Sequence, residues 1–423
     1  MEENTEFCNS IKKTYRPRVI DSRINDMLSA FGGVLITGPK WCGKSWTGVN
    51  HTSSSIMLGN AIINEYAKLS PEKALAGKYP RLVDEWQDAP ELWDAARRRI
   101  DFENRKGMYI FTGSSFPKAK VYHTGTGRFA RVEMRTMSMF ETGDSNGSIS
   151  LSKLFSDGHT DPTPSEMDYM KAVRLICRGG WPGSLGVEDR IAMKTPSEYL
   201  RSIVSADLSI LTETRKNPAV TERILRSLAR SSASEVKMST IVSDISEDGR
   251  EVSEQTIRSY IDSLKQIYVV EEQPAWSPSL RSRGRLRTSP KLHLTDPSLA
   301  AAALGATPKM LEKDVKTAGL LFESLCYRDI CVYSDELGGK VYHYRDNTGL
   351  EIDNIMELPD GRWGAAEIKL GHFEIDKAAE NLLRLNNKME VKATFLSVIT
   401  ATGRVAHTRD DGVSVIPIDL LGP

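Results

Sequence analysis

Nothing in the 423-residue chain comes near 18 consecutive apolar residues, so no membrane-spanning helix is expected. The opening stretch MEENTEFCNSIKKTYRPR lacks the apolar core of a secretory signal. Cysteine is scarce: Cys8, Cys42, Cys177, Cys326 and Cys331 are odd in number, scattered and without a C-x-x-C pair. That excludes a disulfide framework and a zinc site, and it fits reduced thiols in a cytoplasmic protein. The seven histidines do not cluster at metal-ligand spacing. Net charge is also missing, with 56 basic and 56 acidic residues, so the whole-chain balance names no partner. Internal repeats and low-complexity tracts are absent as well.

Inside that balance the charge is uneven. Residues 215–310 carry 15 basic against 11 acidic side chains, and residues 311–423 carry 13 against 19. A basic middle segment suits a polyanion; an acidic end suits a divalent metal or a solvated face. The length predicts several domains.

The stretch GPKWCGKS, Gly38 to Ser45, fits the phosphate-loop pattern G-x-x-x-x-G-K-[ST] in full. Gly38, Pro39, Lys40, Trp41, Cys42 and Gly43 would wrap backbone N–H groups around phosphate oxygens. Lys44 would reach the β- and γ-phosphates, and Ser45 would ligate Mg²⁺. An apolar strand at 34–37 leads into the loop. A second strand at 81–83 ends at Asp84, placed to hold Mg²⁺, and at Glu85, placed to activate a water. A third at 108–111 ends at Thr112, placed to sense the γ-phosphate. Strands alternating with helices, with polar residues at the strand ends, predict a doubly wound α/β sheet. Arg128 and Arg131, in TGTGRFARVEMR, would supply an arginine finger to a neighbouring subunit, or else make surface ion pairs. Residues 145–164 read as surface loops around a short segment at 151–155.

From residue 221 the pattern predicts helices at 221–230, 238–245 and 253–266, then strands at 268–272 and 291–294: a winged helix-turn-helix. The loop RSRGRLR sets Arg281, Arg283, Arg285 and Arg287 at alternate positions, a comb for a phosphate backbone. Arg258 on the third helix would enter a groove. The other reading is a solvated loop on a packing module.

The last part predicts a helix at 318–330 carrying Glu323 and strands at 340–345, 350–358 and 362–370. A helix at 375–384 and a strand at 393–398 follow. Glu351 and Asp353 share one face, as do Glu367 and Lys369. Asp353, 13 intervening residues, then Glu367-Ile368-Lys369 has the form D-x(n)-E-x-K. Asp353 and Glu367 would offer hard oxygen ligands to Mg²⁺ or Mn²⁺, and Lys369 would orient a water, with Glu323 completing the acids. A charged sheet face would look the same.

Together, the loop with VDEWQDAPELWD, the RGGWPGSL and SPKLHLTDPSLAAAAL stretches, and LFESL…EIDNIMEL…AAEIKLG resemble prokaryotic ATPases in which an AAA-type domain precedes a DUF4143 region. The likeness spans residues 17–420. It implies an AAA-like P-loop ATPase domain at 17–193, a winged-helix domain with connecting helices at 194–309, and a PD-(D/E)xK restriction-endonuclease-like α/β domain at 310–423. The expected protein binds and hydrolyses ATP with Mg²⁺. It acts on DNA as a homo-oligomer, for instance a ring, and its terminal domain cuts or grips DNA. The competing reading is a nucleotide-dependent switch or regulator whose nuclease-like fold cuts nothing.

Overall fold

In the computed structural model, residues 2–114, 125–207, 216–246, 252–278 and 289–423 are described. The chain forms two compact units, Met1–Thr136 with Gln266–Tyr268, and Met137–Lys265 with Val269–Pro423.

In the first unit, helices α1 (Glu2–Thr14) and α2 (Asp21–Ala30) precede β1 (Gly33–Thr37), and the turn after β1 opens α3 (Lys44–Asn50). Then come β2 (Ser54–Met57), α4 (Ala61–Leu69), β3 (Arg81–Asp84), α5 (Glu91–Glu103), β4 (Tyr109–Gly113) and β5 (Phe129–Glu133). The five strands form one parallel sheet in the order β2-β3-β4-β1-β5. A parallel sheet is covered on both faces, so its inner strands read as unbroken apolar runs, and every residue of β1 and β4 is buried. The two-residue alternation then sorts the side chains. Val34, Ile36, Leu82, Ile110 and Val132 share a core with Ile24 and Leu28 of α2 and Val49 of α3. Leu35, Val83, Tyr109 and Phe111 share another with Leu92, Trp93, Ala96 and Ile100 of α5. Each such fully buried aliphatic side chain contributes about 1.5–3 kcal/mol. The doubly wound sheet is as expected, whereas β2 and β5 carry no apolar run and were not anticipated.

The second unit holds α6 (Tyr169–Arg178), α7 (Pro218–Arg230), α8 (Met238–Ile245) and α9 (Glu254–Gln266). Strands β8 (Val270–Gln273) and β9 (Lys291–Leu294) follow, paired antiparallel with Gln273 opposite Lys291. Next come α10 (Pro297–Leu304) and the 22-residue α11 (Val315–Glu336). A seven-stranded mixed sheet runs β10 (Lys340–Arg345), β11 (Glu351–Glu357), β12 (Trp363–Lys369), β13 (Phe395–Thr400), β15 (Ser414–Pro417), β14 (Val405–Thr408), β7 (Thr163–Pro164). Helix α12 (Ile375–Lys388) lays Ile375, Ala378, Leu382 and Leu385 into a core with Ile352, Ala365, Val398 and Val415.

The boundary expected at 193/194 falls inside this second unit. Strand β7 closes the edge of the seven-stranded sheet, and β6 (Ile149–Ser150) pairs with β16 (Leu421–Gly422). The stretch 145–164 is therefore not a set of surface loops, and Leu151, Leu154 and Phe155 are buried. Buried carboxylates fasten the same region: Met139 N donates to Asp329 (2.9 Å) and Gly180 N to Asp296 (3.0 Å). Arg328 ion-pairs with both acids, Asp296 at 3.0 Å and Asp329 at 2.6 Å.

Candidate functional site

The sheet order places three expected residues side by side. Strand β4 lies between β1 and β3, so Gly38 just past β1, Thr112 near the end of β4 and Asp84 at the end of β3 sit on neighbouring carboxyl ends. Adjacent strands stand about 4.8 Å apart. Thr112, fully buried, donates its hydroxyl proton to Asp84 Oδ1. Glu85 adopts the left-handed conformation (φ 53°), which turns the chain sharply after β3, and its carboxylate accepts from Gln87 Nε2. Burial, with the nearby Asp84 charge adding to it, holds the Glu85 carboxyl above its ordinary value. A carboxyl raised this way is a better proton acceptor from water.

The loop itself is set by tight backbone geometry. Gly38 has φ +146°, and a Cβ there would lie 2.1 Å from the Met134 carbonyl oxygen. Trp41 (φ 63°) and Gly43 (φ 105°) are also left-handed. Lys44 is 5% exposed, and its ammonium donates to the Pro39 carbonyl at 2.7 Å. Among the described residues no carboxylate stands within ion-pair distance of it.

Arg18 is a participant the sequence reading missed. Its buried guanidinium donates to Cys42 O (2.8 Å) in the loop and to Arg135 O (3.0 Å) just beyond β5. Beside it, Asp21 accepts from Arg18 N (2.8 Å) and from the Tyr15 hydroxyl (2.8 Å), and that hydroxyl also meets Thr47 of α3 at 3.1 Å. No motif marks Arg18; it lies 24 residues from the carbonyl it holds.

The two arginines do not reach the loop within this chain. β5 pairs with β1 from Gly33↔Phe129 to Thr37↔Glu133, so Arg128 lies at the amino edge of the sheet, opposite the loop. It ion-pairs with Asp101 at 2.7 Å. Arg131 pairs with Leu35 in mid-strand and donates to the Tyr268 hydroxyl at 2.7 Å.

In the second unit the acids do converge, but not alone. Lys291 of β9, a residue not anticipated, is 1% exposed. Its ammonium stands 2.8 Å from Glu323 of α11, 3.2 Å from Glu351 and 3.6 Å from Asp353 of β11. Lys369 stands 2.7 Å from Glu367 and 3.5 Å from Asp353, and Asp353 also accepts from Ile368 N at 2.8 Å. Burial alone would depress the Lys291 ammonium, yet Glu323, Asp353 and Glu351 together hold it above its ordinary value. Burial and the Asp353 charge push Glu367 up to about 8 and Glu323 up to about 7. Asp353 moves the opposite way: burial opposes ionisation, but Lys369 and Lys291 hold its pKa down.

Asp353 and Glu367, the residues expected to hold a metal, each stand beside an ammonium group. Among the described residues, no group of three or more His, Cys, Asp or Glu side chains is arranged to hold a metal ion. The carboxylate oxygens that would face an ion face ammonium groups instead.

Of the residues expected to touch DNA, Arg258 is exposed and ion-pairs with Glu254 at 2.6 Å. Arg281, Arg283, Arg285 and Arg287 lie outside the described residues. No helix among the described residues is long and apolar enough to cross a membrane.

Family models match residues 31–143 as an AAA domain and residues 318–421 as the domain of unknown function DUF4143. The chain joins an AAA domain to a DUF4143 domain. Residues 170–310, between the two, match DUF8612, another domain of unknown function. An AAA domain with an intact phosphate loop is a nucleotide-binding module.

A comparison with curated proteins finds no match. Among solved structures, the Walker-type ATPase of Pyrococcus abyssi is similar at 14% identity and TM-score 0.42, covering 69% of this chain and 96% of that one. The replication initiator DnaA bound to AMPPCP and single-stranded DNA is similar at 11% and 0.29, covering 58% of this chain and 86% of that one. A DNA replication initiation factor is similar at 11% and 0.24, covering 59% of this chain and 92% of that one. Likeness this faint carries neither an activity nor a partner across.

Proposed function

We propose that the AAA domain binds Mg²⁺-ATP and hydrolyses it. One observation carries this reading: the loop, Thr112 and Asp84 occupy the carboxyl ends of three adjacent strands, with Glu85 turned out beside them. The donor set fits a hard cation, since the Ser45 hydroxyl and the Asp84 carboxylate both offer oxygen. Bound there, Mg²⁺ would neutralise developing charge on the phosphates. Lys44 exchanges its Pro39 acceptor for phosphate oxygens, Thr112 orients Asp84, and Glu85 takes a proton from the attacking water. Arg18 keeps the loop's shape. ATP binding and turnover, measured on the full chain and on Glu85→Gln, test the reading. The variant is expected to bind ATP with near-wild-type affinity and to lose turnover. A wild type without affinity for millimolar ATP overturns the proposal.

DNA is the partner this reading favours, on the strength of the basic middle segment and its alternating arginines. Three helices and a two-stranded hairpin in the order of a winged helix support it. Affinity that falls steeply with salt would bear it out; no retention of duplex or single-stranded DNA at low salt would remove it. For the terminal domain we propose a PD-(D/E)xK-like fold that grips rather than cuts, because its acids are already paired with lysines. A second reading, cleavage, draws on the convergence of Asp353, Glu367 and Lys369. Mg²⁺-dependent cutting lost in Lys369→Ala would establish it.

A further inference from the structure

The terminal domain's likeness to metal-dependent nucleases implies a divalent cation among Glu323, Asp353 and Glu367, and the side chains do not fit one. Strand β9 is the reason. Its four residues alternate, yet all four are buried, so Lys291 and His293 point inward where polar residues of a half-exposed strand would point to water. Each finds its partner on consecutive residues of α11: Lys291 reaches Glu323, and His293 Nδ1 meets the Ser324 hydroxyl at 3.0 Å. Across the hairpin, Gln273 donates to the Asp353 carbonyl (2.8 Å) and to Asn354 Oδ1 (3.0 Å), while its own oxygen lies 3.1 Å from His293 Nε2. The β8–β9 hairpin is thus keyed to α11 and β11 at four polar positions.

The charges fit the same account. Four carboxylates, Glu323, Glu351, Asp353 and Glu367, face two ammonium groups, Lys291 and Lys369. A divalent ion bound to the Glu323 oxygen at about 2.1 Å would stand within about 5 Å of the Lys291 ammonium, and like charges that close inside a protein repel strongly.

We propose that the Lys291 ammonium occupies the position a divalent cation would take, so that the acidic pocket is a lysine-filled clasp holding the β8–β9 hairpin and not a metal centre. Lys291 is the resident cation and cannot diffuse away, because β9 carries it. Removing it leaves four carboxylates facing one ammonium, an arrangement that invites a divalent ion.

The test is Mn²⁺ titration, followed by the paramagnetic resonance of the free ion. It uses the full chain without nucleotide, in a Lys44→Ala background that keeps the phosphate loop out of the reading. With Lys291 in place, Glu367→Gln is expected to leave the Mn²⁺ curve unchanged. Lys291→Ala is expected to tighten Mn²⁺ binding at least about tenfold, a gain of about 1.4 kcal/mol, and Glu367→Gln in that background to abolish the gain. Lys291→Arg keeps the charge and is expected to gain nothing. Glu367-dependent Mn²⁺ binding with Lys291 present overturns the proposal, as does a folded Lys291→Ala chain with no gained site. If Lys291→Ala does not fold, Lys291→Met, which keeps the packing volume, replaces it. The comparison of Glu367→Gln with the unchanged pocket decides by itself in either case.

Discussion

Two buried lysines behave in opposite ways. Lys44 and Lys291 are both nearly closed to solvent, at 5% and 1% exposure. Lys44 gives one hydrogen bond to a backbone carbonyl, and no carboxylate among the described residues pairs with it. Lys291 is held by three carboxylates. Burying a charge is costly unless it is paired, so an incompletely paired buried ammonium marks a place made for an incoming anion. A fully paired one marks a finished structure. The same residue type thus reports a ligand site in one region and a clasp in the other.

The largest effect separating them is catalytic. Lys44→Ala is expected to leave the fold intact and to lower ATP turnover roughly 10²–10³-fold, the scale on which losing one transition-state donor acts. Lys369→Ala, in the acidic pocket, is expected to keep turnover within about twofold of wild type, since it belongs to the other compact unit of the chain. Phosphate release assayed on both variants checks this. A drop of equal size in both would end the contrast.

Stability should reverse the order. Lys291→Met strands Glu323 without its ammonium and leaves Asp353 only Lys369, and breaking a buried pair costs about 3–5 kcal/mol. Lys44→Met gives up a single hydrogen bond to Pro39, worth about 0.5–1.5 kcal/mol. Hydrogen exchange of the segment 351–369 reads the first change, and that of 33–50 reads the second. Equal protection of 351–369 in wild type and Lys291→Met would show that the clasp holds nothing.

Titration sharpens the same point at a smaller scale. Glu367 has a folded pKa of about 8 against an ordinary 4.5. The folded state therefore binds a proton the unfolded state has released, and this stabilisation is complete below about pH 4.5 and lost as pH rises through about 8. Glu367→Gln removes the titrating group. The melting temperature of wild type minus that of the variant should fall between about pH 5 and about pH 8 and level off above it, and a flat difference across that range contradicts the raised pKa.

Sequence made the phosphate loop fully legible because its eight residues are contiguous and their spacing is the chemistry. Asp84 and Thr112 were legible for a related reason: each ends an apolar run, and parallel strands bring such ends to one edge. Lys291 was hidden although the strand carrying it was read correctly. The alternation in KLHL looks like a solvated face, and only α11 and β11, from 32 to 62 residues further on, supply the acids that bury it. Arg18 was hidden because its acceptors are backbone carbonyls, which every residue offers and no motif marks. Strands β2 (SSIM) and β5 (FARVE) were missed because neither holds an apolar run. The position of Arg128 at the amino edge of the sheet was hidden for the same reason, since it is set by the pairing of β5 with β1.

The smallest effect concerns that arginine. Arg128 and Asp101 pair at 2.7 Å, with side chains 45% and 37% exposed, and exposed pairs contribute about 0–1 kcal/mol. Arg128→Ala is therefore expected to change stability by no more than about 0.5 kcal/mol. Its place opposite the loop leaves it no role within one chain, so any catalytic part it has must be played on a neighbour. In that case wild-type turnover per chain rises with protein concentration as subunits meet, while Arg128→Ala follows the wild type when dilute and stays flat when concentrated. Two flat, superimposed profiles would reduce Arg128 to a surface ion pair and exclude a trans finger.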